Sequence, residues 1–521
     1  MKTFLKYSAW VFIPFCIYAC FSFALKNWIV DDAGISFAYA RNLANGNGLV
    51  SWPGEKPVEG FSNFSWTLFL AFFHWVGLFD PYLTPKILSA ILVFISFVLI
   101  LSISKKVTKK ILPGLGTNLL LAVNSPFVIW TNSGLENALY VCLILVLAWY
   151  SLSIFKQLSV RKIVFLSIIT FAIAITRPDG IIFSIAFSLL LLFNRSKAKW
   201  IFSYILTTIA LVGIFLIFRY FYFHDWLPNT YYIKFDQSPS HENLLDKIRY
   251  LGFSMGGKWT IIPLIFLFIF SIIALIPKLK ASNEYRYIHI LFLISLSIFF
   301  ILPSDWMGEL RFATPFIVLS YLLIFSNLFI LLHIKMKGRA SQIAGLIICI
   351  GFVVYSSYHF NIRTKQFCKN PTVPFDLVKT SFPDRFNSYA EILQLENASF
   401  LLPDVGASLY YSKIKIYDAV GLCNKEIRLK IPEGKLALQE YVLNVMKPTF
   451  IHLHGRWSTM YSLYENPDFL KLYVSIQSKN DKLDNNEFYT VTSGDYLRRD
   501  AITSENYKAC DSLFVSTFIH Y

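Results

Sequence analysis

Long apolar runs separated by short polar breaks fill the first 360 or so residues of this chain. A window near 20 residues long can span about 30 Å of hydrocarbon. On that basis eleven spans are expected, near 7–26, 84–104, 111–130, 135–155, 162–176, 180–194, 200–222, 259–277, 287–303, 312–333 and 341–359. The run at 64–79 (FSWTLFLAFFHWVGLF) is apolar too, but short and aromatic. Charge decides its place. If it crossed the bilayer, the basic cluster at 105–110 and every later one (156–162, 195–199, 278–286, 335–339) would fall outside. Laid along the outer interface, it leaves all five clusters in the cytoplasm, as the positive-inside rule requires. The two spans flanking Arg177–Gly180 are only about 15 residues each and suit a helical hairpin.

Past residue 360 the pattern changes. Polar residues rise, and short β-like runs occur at 398–404, 414–421, 448–454, 470–476 and 487–494, with a helix-like stretch at 436–446. The division expected is a membrane domain at 1–359, with a first outer loop at 27–83, followed by a small α/β domain at 360–521 outside the cytoplasm. No internal repeat or low-complexity linker interrupts it.

Composition agrees. Of 521 residues, 55% are hydrophobic and only 15% charged, against roughly 25% charged in a soluble chain. The net charge of +16 sits in the short clusters between apolar runs, not in a groove or stripe, which excludes nucleic acid as a partner. The apolar run from Tyr7 to Leu25, preceded by Lys2 and Lys6, is too long for a cleaved signal and reads as a signal anchor. Cys16, Cys20, Cys142 and Cys349 fall in apolar runs as packing residues, whereas Cys368, Cys423 and Cys510 lie in the C-terminal segment, where two of the three can pair.

Candidate chemistry gathers at the outer ends of the spans. Asp31 and Asp32 stand where the first apolar run ends. An ionisable pair at membrane level is costly, which marks it as a functional candidate. One of the two also suits the N-cap of the helix expected at AGISFAYARNLAN. A carboxylate beside a low-dielectric surface gains proton affinity and can take a proton from an attacking hydroxyl. Arg177 (in RPDG), Lys234 (after LPNTYY) and Arg311 (after DWMGEL) fall on the same expected face, and cations there suit a lipid phosphate. Glu59, Asn63 and Glu136 are further outer polar residues, read as sugar or acceptor contacts or as loop-ordering groups. His452 and His454 alternate on an expected strand and read as a structural pair. Asn63 and Asn397 match the N-glycosylation triplet by composition alone. No zinc spacing, phosphate-binding glycine loop or nucleophile elbow is present, so no cofactor is assigned and a divalent metal has no support.

The run DDAGISFAYARNLANGNGLVSWPGEKPVEGFSNFSW resembles the first outer loop of GT-C fold membrane glycosyltransferases, nearest to the branch of bacterial polyprenyl-phosphate-dependent terminal arabinofuranosyltransferases. SGLENALY, TRPDG, LPNTYYIK and DWMGELRFATP follow in the family's order, and PDVGASLYYSKIKIYDAVGLCN resembles its DxG…YYS…DxxGL stretch. The chain departs at SGLEN, where relatives show GLET or GMET and Asn137 replaces the threonine. The resemblance implies inverting transfer, at the outer face of the inner (plasma) membrane, from a polyprenyl-phosphate sugar to a glycan, glycolipid or protein acceptor. Asp31 or Asp32 would be the general base, and amphipathic helices in the loop agree with the interfacial reading of 64–79. A transporter or flippase of lipid-linked sugars, or an envelope glycan polymerase, is the rival. Transporters commonly carry repeated halves and midplane sites, which this chain lacks.

Overall fold

The computed structural model describes residues 2–194, 197, 199–236, 247–248, 251, 261–276, 281–303, 305–336, 339–476 and 494–503. Its first part is helical: α1 (Lys2–Ala24), α2 (Ala33–Ala44), α3 (Phe64–Trp75), α4 (Leu83–Thr108), α5 (Leu112–Val123), α6 (Ser125–Thr131), α7 (Asn137–Ile154), α8 (Val160–Thr176), α9 (Ser184–Leu192), α10 (Lys199–Phe223), α11 (Asn229–Asp236), α12 (Ile261–Ala274), α13 (Asn283–Ile301), α14 (Thr314–Lys335) and α15 (Arg339–Lys369). Each expected window holds a helix, or a pair of helices. By length and composition, six among the described residues are able to cross a membrane: α4, α7, α10, α13, the segment Arg311–Lys335 that contains α14, and α15. Counting α5 and α6 as one bent span makes seven. Trp10–Ala24, Pro178–Leu192 and Ile261–Ala274 are apolar but shorter. The fold is that of a multi-pass helical membrane protein.

The break between α5 and α6 is written in the sequence. Pro126 has no amide hydrogen to continue a helix. Asn124 caps the new helix, its side chain accepting from Phe127 N at 2.9 Å while its Nδ2 donates to Tyr321 Oη at 2.9 Å. The resulting 72° bend delivers the turn 132–136 to the same end of the bundle as the first outer loop. There Val30 N donates to Ser133 O, and Trp66 Nε1 donates to Gly134 O.

Helix α3, in the run excluded from the spans, has 12 residues. At about 1.5 Å per residue it falls well short of the bilayer core. It buries Trp66 and Leu70 and leaves Phe69, Phe72 and Trp75 exposed. Helix α2 behaves oppositely: nine of its twelve residues are buried, so this part of the first outer loop is packed inside the molecule.

Beyond α15, five strands form one mixed sheet in the order β2-β1-β3-β5-β4: β1 (Ser399–Leu402), β2 (Lys415–Asp418), β3 (Phe450–His452), β4 (Tyr473–Ile476) and β5 (Asp495–Arg498). β1 runs parallel to β2 and β3, and β5 runs antiparallel to β3 and β4. Four strands fall within expected runs. The fifth expected run, 487–494, lies outside the described residues but for Gly494; the strand observed, β5, is DYLR, which Arg498 and the short length hid from a hydropathy reading. Residues 436–446 are helical, an α-helix at Lys435–Glu440 followed by a π-helical turn at Tyr441–Met446.

Candidate functional site

The two first-loop aspartates diverge sharply. Asp31 is buried, and its carboxylate accepts from Ala407 N at 2.8 Å and Gly406 N at 3.0 Å, both in the helix Val405–Tyr411 that follows β1. Burial pushes its proton affinity well up, the Ala407 amide opposes this, and the charges of Asp32 and Asp404 push it further up. Asp32 sits at the N-cap position of α2 with helical backbone angles and no side-chain cap bond, so the expected capping role falls away. It lines an open cleft together with Ser36, Asn63, Thr230, Arg311 and Leu422. Ser36 lies four residues on, one helical turn along the same face.

Glu136 is the hub beside that cleft. Its Oε1 accepts from Arg177 Nη1 at 3.0 Å and from Arg311 Nη2 at 3.2 Å. Its Oε2 accepts from Asn63 Nδ2 at 3.0 Å, and Asn63 Oδ1 accepts from Ser36 Oγ at 3.0 Å. Burial alone would raise the Glu136 carboxyl, but Arg311 and Arg177 outweigh it and hold it at about 2. Arg177 also donates to Asp179 at 3.0 Å and Arg311 to Asp305 at 3.0 Å. Two guanidinium groups therefore meet three carboxylates, and the pair has no surplus positive charge. What Arg311 retains is Nε, which is buried without a hydrogen-bond partner among the described residues. Asn137, where the resemblance breaks, donates to Arg311 O at 3.1 Å and Thr314 Oγ1 at 3.2 Å, fixing the backbone of that arginine.

The structure thus brings Asp32, Asn63, Glu136, Arg177 and Arg311 together. Lys234 lies in α11, and its side chain is outside the described residues. Glu59 is apart: it forms a two-pronged ion pair with Arg219, at 2.6 and 3.1 Å. Asn63 is buried in the hub, which leaves no room for a glycan there. Asn397 is exposed. Cys423 is a buried free thiol and Cys368 an exposed one, so these two are unpaired; Cys510 lies outside the described residues. His452 pairs with Asp495 at 2.6 Å and His454 with Asp404 at 2.5 Å, so each histidine has its own acid. Among the described residues, no three His, Cys, Asp or Glu converge in a way that could hold a metal ion.

Four partners escaped the sequence reading. Arg219 carried a signal, a lone charge in an apolar run, which is a functional candidate by default. Asp179 and Asp305 sit beside arginines already singled out. Asp418, within the DxxGL stretch, accepts from the amides of Val420, Gly421 and Cys423 at 2.8, 3.2 and 2.6 Å and so shapes the turn that carries Leu422 to the cleft. Burial pushes this carboxyl up to about 6 against those amides.

No family model and no curated protein sequence matches the chain. Its fold does have solved counterparts. ArnT from Cupriavidus metallidurans, bound to undecaprenyl phosphate, superposes with a TM-score of 0.60 at 11% identity over 95% of this chain and 99% of that one. The oligosaccharyltransferase of Archaeoglobus fulgidus, tethered to an acceptor peptide, gives 0.56 at 11% identity over 92% and 74%. The chain shares the GT-C fold of these structures.

Proposed function

We propose that this chain transfers a single sugar from a polyprenyl-phosphate donor to an acceptor hydroxyl at the outer face of the inner membrane, with inversion and with Asp32 as general base. Arabinofuranose is the sugar to which the first-loop resemblance points; the acceptor is an envelope glycan, glycolipid or protein. In this reading residues 1–359, spanning eleven times, hold the chemistry, and residues 360–521 stand outside the cytoplasm. The observation that carries the proposal is the shared cleft of Asp32 and Arg311. An acid able to take a proton and a guanidinium with an unused N–H donor thereby border one space.

The reaction follows from that pairing. The acceptor oxygen bonds to the anomeric carbon as the bond from that carbon to the donor phosphate oxygen breaks. The hydroxyl proton passes to Asp32, and the departing polyprenyl phosphate gains a negative charge. Stabilising charge where it develops is commonly the largest catalytic contribution. Arg311, through its unpartnered Nε, is the group next to the base that can do so, with Arg177 behind it across Glu136 and Lys234 as a further cation. ArnT with undecaprenyl phosphate and the oligosaccharyltransferase with an acceptor peptide supply a lipid carrier and an acceptor on the same fold.

The test uses purified full-length protein in lipid nanodiscs with a synthetic polyprenyl monophosphate carrying one labelled sugar. Asp32→Asn should lower transfer by at least the 10²–10⁴-fold typical of a lost general base while donor binding is retained. Label that crosses the membrane without a new glycosidic bond would support the transporter rival instead.

A further inference from the structure

We propose that Asp31 is a positioning residue: its carboxylate pins the C-terminal sheet to the first outer loop, and this docking holds Asp32 and the Leu422 wall of the cleft in place. The consequence for transfer rests on the base reading of Asp32; the docking itself does not.

The contact joins segments 375 residues apart: the carboxylate receives two backbone amides, and the two backbones themselves approach closely. A Cβ on Gly406 would stand 1.8 Å from the Asp31 carbonyl oxygen, and one on Gly34 would stand 2.4 Å from the Gly406 carbonyl carbon. Neither glycine is there for a left-handed turn; closeness alone demands them. Around this point the loop is clasped from a second side, with Asp31 N donating to Val373 O at 3.0 Å and Phe375 N donating to Ile29 O at 2.8 Å. Arg41, farther along α2, donates to Leu409 O at 3.2 Å and also to Tyr410 O. Residues 29–41 are thus gripped by 373–375 and 405–410.

The location in the sheet is telling. β1 connects to β2 on one side, while its other parallel neighbour, β3, connects toward β4 on the opposite side, so the direction of the connections reverses between β1 and β3. The C-terminal ends of strands at such a switch point are where open α/β sheets receive ligands. Here the amides just past β1 receive the protein's own carboxylate. A second pin lies past β2, where Asn229 Nδ2 donates to Leu422 O at 2.8 Å and to Gly421 O. Leu422, between the pins, reaches the cleft, and Cys423 beside it is buried against Gly60 and Tyr39. Because adjacent Cα atoms are about 3.8 Å apart, fixing Asp31 fixes the base next to it.

Cys423 supplies a native reporter. Full-length protein in nanodiscs is treated with a maleimide, and modification of Cys423 is followed by peptide mass spectrometry. Asp31→Asn puts an amide NH₂ where two backbone donors need acceptors. It should raise the Cys423 labelling rate at least tenfold and lower kcat at least tenfold, with the donor KM changed by less than threefold. Arg41→Ala, a milder loosening, should raise labelling by a smaller factor and decides the matter if Asp31→Asn does not fold. Asp32→Asn should lose transfer with Cys423 labelled at the wild-type rate. Wild-type labelling in both Asp31→Asn and Arg41→Ala, or a donor KM raised in proportion to the loss of kcat in Asp31→Asn, would overturn the proposal. A labelling pattern as expected in a wild-type protein that moves no sugar would instead sink the glycosyl-transfer reading and leave the latch standing.

Discussion

Glu136 shows what a single side chain carries in this molecule. Two guanidinium groups and an amide converge on it in a buried setting. Removing one partner of such a group strands the others, at a cost of about 3–5 kcal/mol. Glu136→Gln should therefore lower stability by roughly 3 kcal/mol, read as thermal unfolding in detergent. The pH sign is fixed by the depressed carboxyl: its contribution is complete above the ordinary value of 4.5 and is lost as pH falls toward about 2. The variant should flatten that acid limb, and an unaltered limb would contradict the hub. The grouping of these residues was half legible beforehand. The cost of charge at a membrane boundary singled out Asp31 and Asp32, Arg177 and Arg311. Their separate surroundings were not legible, because these depend on Gly406 and Glu136, which no local pattern connects to them.

At the scale of elements, the bend at Asn124 is the decisive feature. It ends one helix, caps the next and swings 132–136 toward the cleft. Asn124→Ala removes a cap and a bond to Tyr321, so a loss of about 1–2 kcal/mol is expected, measured by thermal unfolding in detergent. Helix α3 makes a different prediction. With Phe72 and Trp75 exposed on a helix too short to span, Phe72→Asp with Trp75→Asp should reduce quenching by lipid-borne quenchers of a fluorophore placed at Leu78, without changing the fold. Helices were legible because apolar runs of this length have few alternatives. The fifth strand was not, since four residues with an arginine at one end carry little pattern and gain their place only by pairing with β3 and β4.

For the whole molecule, charge distribution predicts sidedness. Lys109, in a basic cluster, and Lys471, beside β4, should lie on opposite faces. Single cysteines at these positions, in a background without native cysteines, should react with impermeant reagents from opposite sides of oriented vesicles. Reaction from the same side would remove the proposed topology. The change from apolar helices to a mixed sheet was visible in outline from the composition change near residue 360, although α15 runs on to Lys369. The docking of the sheet on the first outer loop was invisible, because the partners of the Asp31 carboxylate are backbone amides and the room for them is made by two glycines, groups that leave no mark in hydropathy or charge.

Helix α15 has 31 residues, roughly 46 Å at 1.5 Å per residue, against a hydrocarbon core of about 30 Å. It leads directly to the segment 373–375 that clasps the first outer loop, and Arg363 near its end is tied to Glu309 at 2.7 Å. It acts as a strut of set height between lipid and sheet. A thicker bilayer must straighten that strut or draw its upper turns downward, and either response pulls on the clasp. Lipid chain length alone thus becomes a mechanical input to how tightly the two halves close.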